Sequence, residues 1–571
     1  MSFKEEIYEL LKKHNIQNIE LEVPPDSKLG DFALPCFTLA EEKKKAPNAI
    51  AEDLAKEIQP EGSVKEVKNV GPYVNFFIDK SKLAEQTIKK IFQETDLYGH
   101  SKDGEGKKVV VEFPAPNTNK PLHLGHMRNM ALGACLANII ECQGYKVFRV
   151  NLNNDRGIHI CKSMLAYKLW GNNNTPESDK IKSDHFVGKY YVEFAKKEKE
   201  DPNYTEQAQE MLRKWEAEDS EIRSLWEKMN SWALSGFDST YKHFGLRPFD
   251  KVYYESNTYK DGKNIVLEGL DKGLFQKRDD DAIVVDLEKE GLGEKVLVRA
   301  DGTTVYITQD LHLANLKYNE FKFDRSVYVV ATEQKYHFNV LFTLLKKLQY
   351  PFAEGCYHFS YGMVHLPEGR MKSREGTAVD ADDLMTKMEN MAGEAIKERH
   401  KTLSKDEVKS RSQEVGIGAI KFYLLKNDAN KDMTFNPKES LSFEGDTGPY
   451  LQYTHARACS ILRKAKEEKD LTPSADIAFN KLADKSELAL IDTLAQFPSK
   501  TEESFAGYKP HLIGQYLLTL ARAFNEFYHS CPCIKEENEE LAKARLSLID
   551  CTRQTIKNGL TLLGITAIEA M

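Results

Sequence analysis

His123 and His126 stand three residues apart in the run LHLGHMRNM, and their types and spacing suggest chemistry. If a helix starts there, its first turn offers unpaired amides and partial positive charge, a natural seat for a phosphate. Gly125 lets a flat ring or phosphate approach the backbone, and the two imidazoles offer donors to charge developing on a phosphoryl group. A lone His-x-x-His is usually no more than a pair of surface histidines at a helix start. Here Asn117 and Lys120 lie just upstream, in a loop broken by Pro114, Pro116 and Pro121, so a nucleotide site is the expectation. A second set is more scattered: Glu112, Tyr306 and Asp310 four residues apart, and Gln334.

These side chains need elements to hold them. Val109-Val110-Val111-Glu112-Phe113 reads as a buried parallel strand, and Leu132, Leu136, Ile139 and Ile140 recur at helical spacing until Gly144. Lys146–Asn151 is a second buried strand, giving β-α-β and a parallel sheet. Ser326–Ala331 is the clearest β-run of the chain, and Lys295–Gly302 reads as a strand resuming the fold's second half. In open parallel sheets ligands sit beyond the carboxyl ends of strands. Glu112, Asn117, Asp310 and Gln334 all fall at or just past such predicted ends, which groups them. Asp310 has the alternative of capping the helix after it.

The chain has 571 residues, enough for three or four domains, and a formal net charge of -8, so a nucleic-acid partner would rely on local patches. Nine cysteines without a C-x-x-C pair argue against a zinc module and for a reducing compartment. The first residues form an amphipathic pattern with acidic residues, unlike a transit or signal peptide, and no apolar run is long enough to span a bilayer. A cytoplasmic protein without a membrane partner is expected.

Three domains are predicted. Residues 1–105 read as a small α+β unit, with helices at 3–14, 34–45 and 47–58 and a strand at 70–78. Residues 106–390 read as an α/β Rossmann-like domain with a polar, helical insertion at about 171–295. Residues 391–571 read as an all-α domain in which Tyr450, Tyr453 and Arg457 start an aromatic and basic helix, suited to stacking on unpaired RNA bases. Helix packing is an equally good account of those tyrosines by composition alone.

The sequence PAPN, then KP, then HLGH resembles the HIGH signature of class I aminoacyl-tRNA synthetases, in the form found in arginyl-tRNA synthetases. Gly369-Arg370-Met371-Lys372-Ser373-Arg374-Glu375-Gly376 resembles their KMSKS loop in degenerate form, and DTGPYLQY-x-H-x-R from Asp446 resembles the start of their anticodon-binding domain. The likeness spans essentially the whole chain. It implies a monomeric enzyme that uses ATP with Mg²⁺ and no tightly bound metal, activates L-arginine as an adenylate and passes it to tRNA(Arg). On this resemblance His123, Gly125, His126 and the loop residues Arg370, Met371, Lys372 and Ser373 hold ATP, with Lys120, Lys372 and Arg374 as catalytic cations. Glu112, Ala115, Pro116, Asn117, His126, Tyr306, Asp310 and Gln334 are implied around arginine, and Tyr73 and Asn75, with Tyr450, Tyr453 and Arg457, against tRNA. Arg156 stands where many relatives carry Trp, and Val70 where some carry a polar residue. Another class I synthetase, or a non-catalytic tRNA-binding paralogue, are the rival readings.

Overall fold

The computed structural model of the chain describes residues 3–17, 19–24, 26–259, 261–367, 379–399 and 401–570. Its contacts divide into two compact units, neither of which is a continuous stretch of sequence.

The first unit comprises Met1–Tyr98, Ala458–Phe497 and Thr519–Thr555. Its antiparallel sheet has the order β1-β3-β2, with β1 at Phe32–Pro35, β2 at Val64–Val70 and β3 at Tyr73–Ile78. The expected strand at 70–78 is thus the end of one strand and all of another. Gly71, at φ +56°, and Pro72, which has no N–H for a ladder, make the hairpin turn between them. The helices Phe3–Lys13 and Pro47–Glu57 match expectation, whereas the helix expected from 34 begins only at Phe37. A helix at Lys80–Glu94, capped by Asp79 on the Ser81 amide, was not foreseen. Distant parts of the sequence are joined within this unit: Lys80 contacts Asp31 and Asp492, Tyr98 donates to the Leu494 carbonyl, and Gln554 donates to Asp96.

The second unit comprises Gly99–Arg457, Pro498–Leu518 and Ile556–Met571. At its centre is a five-stranded, wholly parallel sheet, order β11-β10-β4-β5-β6. These strands are β4 (Lys108–Glu112), β5 (Lys146–Asn153), β6 (Lys251–Tyr254), β10 (Arg325–Ala331) and β11 (Cys356–Tyr361). The middle strand, β4, is the apolar run predicted, and Val109, Val110 and Val111 are buried. After it the chain enters the Leu124–Cys142 helix, whose Gly133 lies so close to Phe113 that a Cβ would sit 2.4 Å from the ring.

Two boundaries differ from expectation. β6 pairs with β5 in the central sheet, so the inserted helices Ser183–Glu200, Asn203–Glu216 and Ser220–His243 lie before it and the predicted insertion runs too far. The run expected to resume the parallel sheet is instead β9 (Gly293–Val298) of a separate antiparallel sheet with β7 (Gln276–Lys277) and β8 (Ile283–Leu287). A hydrophobic core of Val110, Val150, Tyr253, Val285, Leu311 and Leu344 joins the two sheets and their helices. Among the described residues no helix is long and apolar enough to cross a membrane.

Candidate active site at the carboxyl ends of the parallel strands

β4 ends at Glu112, and the loop beyond it is pinned to the end of β5. Asn154 donates its N–H to the Pro116 carbonyl (2.9 Å) and accepts from Thr118 N (3.1 Å). Ala115, at φ +54°, donates its N–H to Oδ1 of Asn151 (3.1 Å). A left-handed alanine is strained, so this bond helps hold the turn that places Pro116 and Asn117. Asn117 is exposed and forms an isolated parallel bridge with Asn154.

The loop delivers His123 to the N-cap of the Leu124–Cys142 helix, and the two histidines cap it reciprocally. Nδ1 of His123 accepts from Gly125 N and Nδ1 of His126 accepts from His123 N, each at 3.1 Å. An imidazole nitrogen that accepts carries no proton, so both neutral rings bear theirs on Nε2. The rings lie close, with centroids 3.9 Å apart and planes tilted by 39°. Burial, reinforced by the Lys120 charge, lowers His123 to about 4. Burial, His123 and Lys120 together hold His126 well below the usual range. The pair is therefore neutral at pH 7, two Nε2–H donors at a helix N-terminus.

Residues 379–381 lie alongside. Leu124 N donates to the Val379 carbonyl and Ala381 N to the Leu122 carbonyl, both 3.0 Å, with His123 and Asp380 bridged antiparallel. The KMSKS-like residues Arg370, Met371, Lys372, Ser373 and Arg374 lie outside the described residues. Arg128, a buried arginine on the His-x-x-His helix, ties a residue before them to two well after them, donating to the carbonyls of Met363, Ala429 and Lys431 at 2.8–3.0 Å. Arg128 was missed in the sequence; an arginine two residues past His126, among apolar residues such as Met127 and Met130, was the available signal.

The second set divides. Tyr306 is the first residue of the Tyr306–Phe321 helix and is 72% exposed. The N-cap is Val305, so Asp310 lies in the second turn and does not cap the helix, nor does it come directly after a parallel strand. Its Oδ2 is 2.6 Å from Nε2 of His337, which begins a turn beyond Gln334. Gln334 is exposed in the short 3-10 turn just past β10, as its position predicted. Glu112 is buried against Lys317, Nζ–Oε2 2.7 Å, and neither Lys317 nor His337 was foreseen.

A cavity of about 800 Å³ opens beside His123, lined by Lys120, His185, Lys189, Tyr191, Lys196 and Asp380 among others. At its edge Asp184, His185 and Asp382 are grouped closely enough for a cation. An ammonium already occupies that place: Lys182 lies 2.7 Å from Asp382 and 3.2 Å from Asp184. Burial raises Asp380 to about 6; burial also pushes Asp382 upward, but its bonds with His185 and Lys182 bring it down to about 2.

The expected RNA-facing residues fare unequally. Tyr450, Tyr453 and Arg457 share one stripe of the Gly448–Lys469 helix, Tyr453 40% exposed and the others partly so. Tyr73 is half-buried edge-on to the exposed Phe37. Asn75 is only 2% exposed, which corrects its expected contact with RNA: its β-carbon packs against Gly30. Phe77 is partly exposed under Lys68, and its neighbour Phe76 lies in the core. Arg156 lies 4.0 Å from the Tyr259 ring centroid and pairs with Glu216 at 2.7 Å, so the arginine at this position is held by an aromatic face and a carboxylate.

A wholly parallel sheet with a histidine-capped helix beyond its middle strand is the arrangement of class I tRNA synthetases. The family model described as tRNA synthetases class I (R), catalytic domain, matches residues 87–437; the Arginyl tRNA synthetase N terminal domain matches 1–78 and the DALR anticodon binding domain 451–571. The arginine–tRNA ligase of Treponema denticola is 44% identical over 562 residues, 97% of this chain and 95% of that one. The arginine–tRNA ligase of Phocaeicola vulgatus is 45% identical over 574 residues, covering 95% and 94%. The solved Thermus thermophilus arginyl-tRNA synthetase superposes with a TM-score of 0.85 at 27% identity, covering 100% of this chain and 99% of that one. The chain belongs to the arginyl-tRNA synthetase family.

Proposed function

We propose that this chain joins L-arginine to tRNA(Arg) in two steps at the carboxyl ends of β4 and β10. ATP is a substrate, as for class I synthetases generally, and Mg²⁺ arrives on its phosphates. An oxygen of the arginine carboxylate attacks the α-phosphorus, the bond to the β-phosphate oxygen breaks, and pyrophosphate leaves with its electron pair. A terminal ribose hydroxyl of the tRNA then attacks the carbonyl carbon of the adenylate and AMP leaves. No covalent enzyme intermediate is needed, so positioning and charge stabilisation carry the catalysis.

The observation that carries this reading is the pair of half-buried, neutral imidazoles at a helix N-terminus, each with its proton placed on Nε2 by the reciprocal cap. Such a pair donates to the oxygens of a phosphoryl group as charge grows on them and takes up no proton itself. Lys120, whose charge both rings feel, is close enough to follow the leaving pyrophosphate. Arg370, Met371, Lys372, Ser373 and Arg374 complete the ATP contacts in this reading. Asp310, with Tyr306 one turn before it, supplies the carboxylate that a planar guanidinium fork takes up bidentately, and Glu112 is a further arginine contact in this reading. Asn117 and Gln334 hold the amino acid's α-amino and carboxylate end. Tyr450, Tyr453 and Arg457 offer the anticodon loop a stacking and cationic stripe.

The deciding experiment is arginine-dependent ATP–pyrophosphate exchange and tRNA charging, run with and without tRNA. Exchange with arginine that depends on tRNA supports the reading, since docked RNA would order the active-site loops. Binding of tRNA with no exchange under any condition would leave the non-catalytic alternative instead.

A further inference from the structure

The Ser183–Glu200 helix belongs to the insertion, yet it backs the loop that carries His123. Its Gly188 lies so close to Pro121 that a Cβ would sit 2.5 Å from Cδ of the proline. Three residues earlier, Nε2 of His185 is 3.2 Å from Oδ2 of Asp380 and 3.2 Å from Oδ2 of Asp382. Asp380 is the residue whose backbone is bridged to His123. Its other oxygen, Oδ1, accepts from the amides of Asp382 (2.8 Å) and Asp383 (3.1 Å), in the first turn of the Ala381–Arg399 helix. One imidazole of the insertion thus reaches both the backbone partner of His123 and the helix that follows it.

The rest of the cluster is built around Asp382. It accepts from Lys182 (2.7 Å), at the N-cap of the Ser183–Glu200 helix, and from the hydroxyl of Thr240 (3.1 Å) in the Ser220–His243 helix. Gly236 of that second helix sits against Asp184, where a Cβ would be 2.3 Å from Oδ1, so the two insertion helices are packed without slack. Burial pulls the His185 ring down, but its bond to Asp382 and the charges of Asp380 and Asp184 outweigh burial and raise it above its ordinary value. A desolvated network of this kind is a weak source of stability, because removing the charges from water offsets most of what their pairing contributes. Geometry is a better account: the network sets the insertion one hydrogen-bond length from Asp380.

We propose that His185 and Asp382 are positioning residues for adenylate formation: they hold the insertion against Asp380 and so fix the backbone that sets His123 at the helix N-terminus. The inference rests on the proposed function. A displacement of about 1 Å at a reacting centre can cost on the order of a hundredfold in rate, so a donor held by a helix cap tolerates little play. His123 is steadied from two sides, by Pro121 against Gly188 and by Asp380 against His185. The second contact can be removed without changing the packing of the first. A comparison is built into the same helices: Nε2 of His243 lies 2.5 Å from Oε1 of Glu389, seven residues and about two turns beyond Asp382. That pair also ties the insertion to the Ala381–Arg399 helix, but it does not touch Asp380.

Three variants test it by arginine-dependent ATP–pyrophosphate exchange with tRNA present, each assayed well below its melting temperature. His185→Gln and Asp382→Ala should each lower kcat roughly tenfold or more, with the KM for arginine and for ATP within about twofold of wild type. In Asp382→Ala, Lys182 keeps Asp184 and His185 keeps Asp380, so no cation is left without a carboxylate. Glu389→Ala should lower the melting temperature and leave kcat within about twofold. The proposal is overturned if His185→Gln and Asp382→Ala lower only the melting temperature, or if they move KM and not kcat. It is also overturned if Glu389→Ala lowers kcat as much as Asp382→Ala, since any loss of insertion docking would then suffice. Should Asp382→Ala fail to fold, His185→Gln, which leaves Lys182 and Thr240 on Asp382, decides alone by the same split of kcat from KM. A wild-type protein with no arginine-dependent exchange overturns the functional reading and this inference with it; normal kcat in both variants beside an active wild type overturns this inference alone.

Discussion

Asp310 and His123 each carry a measurable consequence at the scale of single residues. Asp310→Asn keeps the shape of the side chain and its reach to His337 but removes the charge a guanidinium needs. Arginine use should weaken by about 2–5 kcal/mol while ATP binding changes little; unchanged arginine kinetics would assign the guanidinium elsewhere. Lys120→Ala should slow adenylation by roughly two orders of magnitude, about 2.7 kcal/mol of transition-state stabilisation, with tRNA affinity preserved. Near-normal adenylation would return the leaving-group role to Lys372 or Arg374. For His123 the lowered value sets the sign of the pH effect. The unfolded chain binds a proton at this imidazole below about pH 6.5, whereas the folded chain does so only near 4. Stability should therefore be unaffected by this group above pH 6.5 and fall progressively as pH drops from 6.5 towards 4. His123→Gln should flatten that part of a melting-temperature curve, and a curve of unaltered slope would mean the ring is not held neutral.

At the scale of elements, the His-x-x-His helix depends on a close approach. A Cβ on Gly133 would meet the ring of Phe113 at 2.4 Å, so Gly133→Ala forces a shift of the helix against the end of β4. A cost of about 1–3 kcal/mol is expected from urea midpoints at constant slope, together with a loss of adenylation beyond what the stability change explains. This element was legible in the sequence because its signals were local: an apolar β-run, a proline loop, a helical period and a glycine stop. What misled was context that no local pattern contains. The run from Lys295 carries Val296, Leu297 and Val298 in succession, as a central strand would, yet pairs antiparallel in a separate sheet, and β6 is short and its Lys251 and Tyr254 are not buried, although it belongs to the central sheet. The candidate site was legible where a motif names residues in one stretch. Lys317, His337 and Arg128 became visible only once the fold brought their partners to them from 27 to 303 positions away. Asn75 shows the reverse: the resemblance placed it against tRNA, and the sheet buries it.

At the scale of the whole molecule, the RNA stripe is better tested by substitution than by deletion. The second unit includes the last two turns of the final helix and the residues beyond it: Lys421 donates to the Gly564 carbonyl, Gln452 to that of Thr566, and the His455 ring bonds that of Ile568. Removing everything after Asp446 would strip these bonds from the unit that carries the active site. Tyr453→Ala with Arg457→Ala leaves them in place; tRNA affinity should fall by about 1–3 kcal/mol for the lost stacking platform, and the salt dependence of binding should become shallower by about one unit of slope. A double variant that binds tRNA normally would return these residues to helix packing. The discontinuous units also bear on how the chain is made. The first unit begins at the first residue but needs Ala458–Phe497 and Thr519–Thr555 to close. A ribosome adding about 5–20 residues each second takes on the order of half a minute to a minute and a half between Tyr98 and Thr555. For that interval the nascent β1-β3-β2 sheet must wait with its later partners unsynthesised, so translation speed and chaperone access in the final third of the message should govern the yield of active protein.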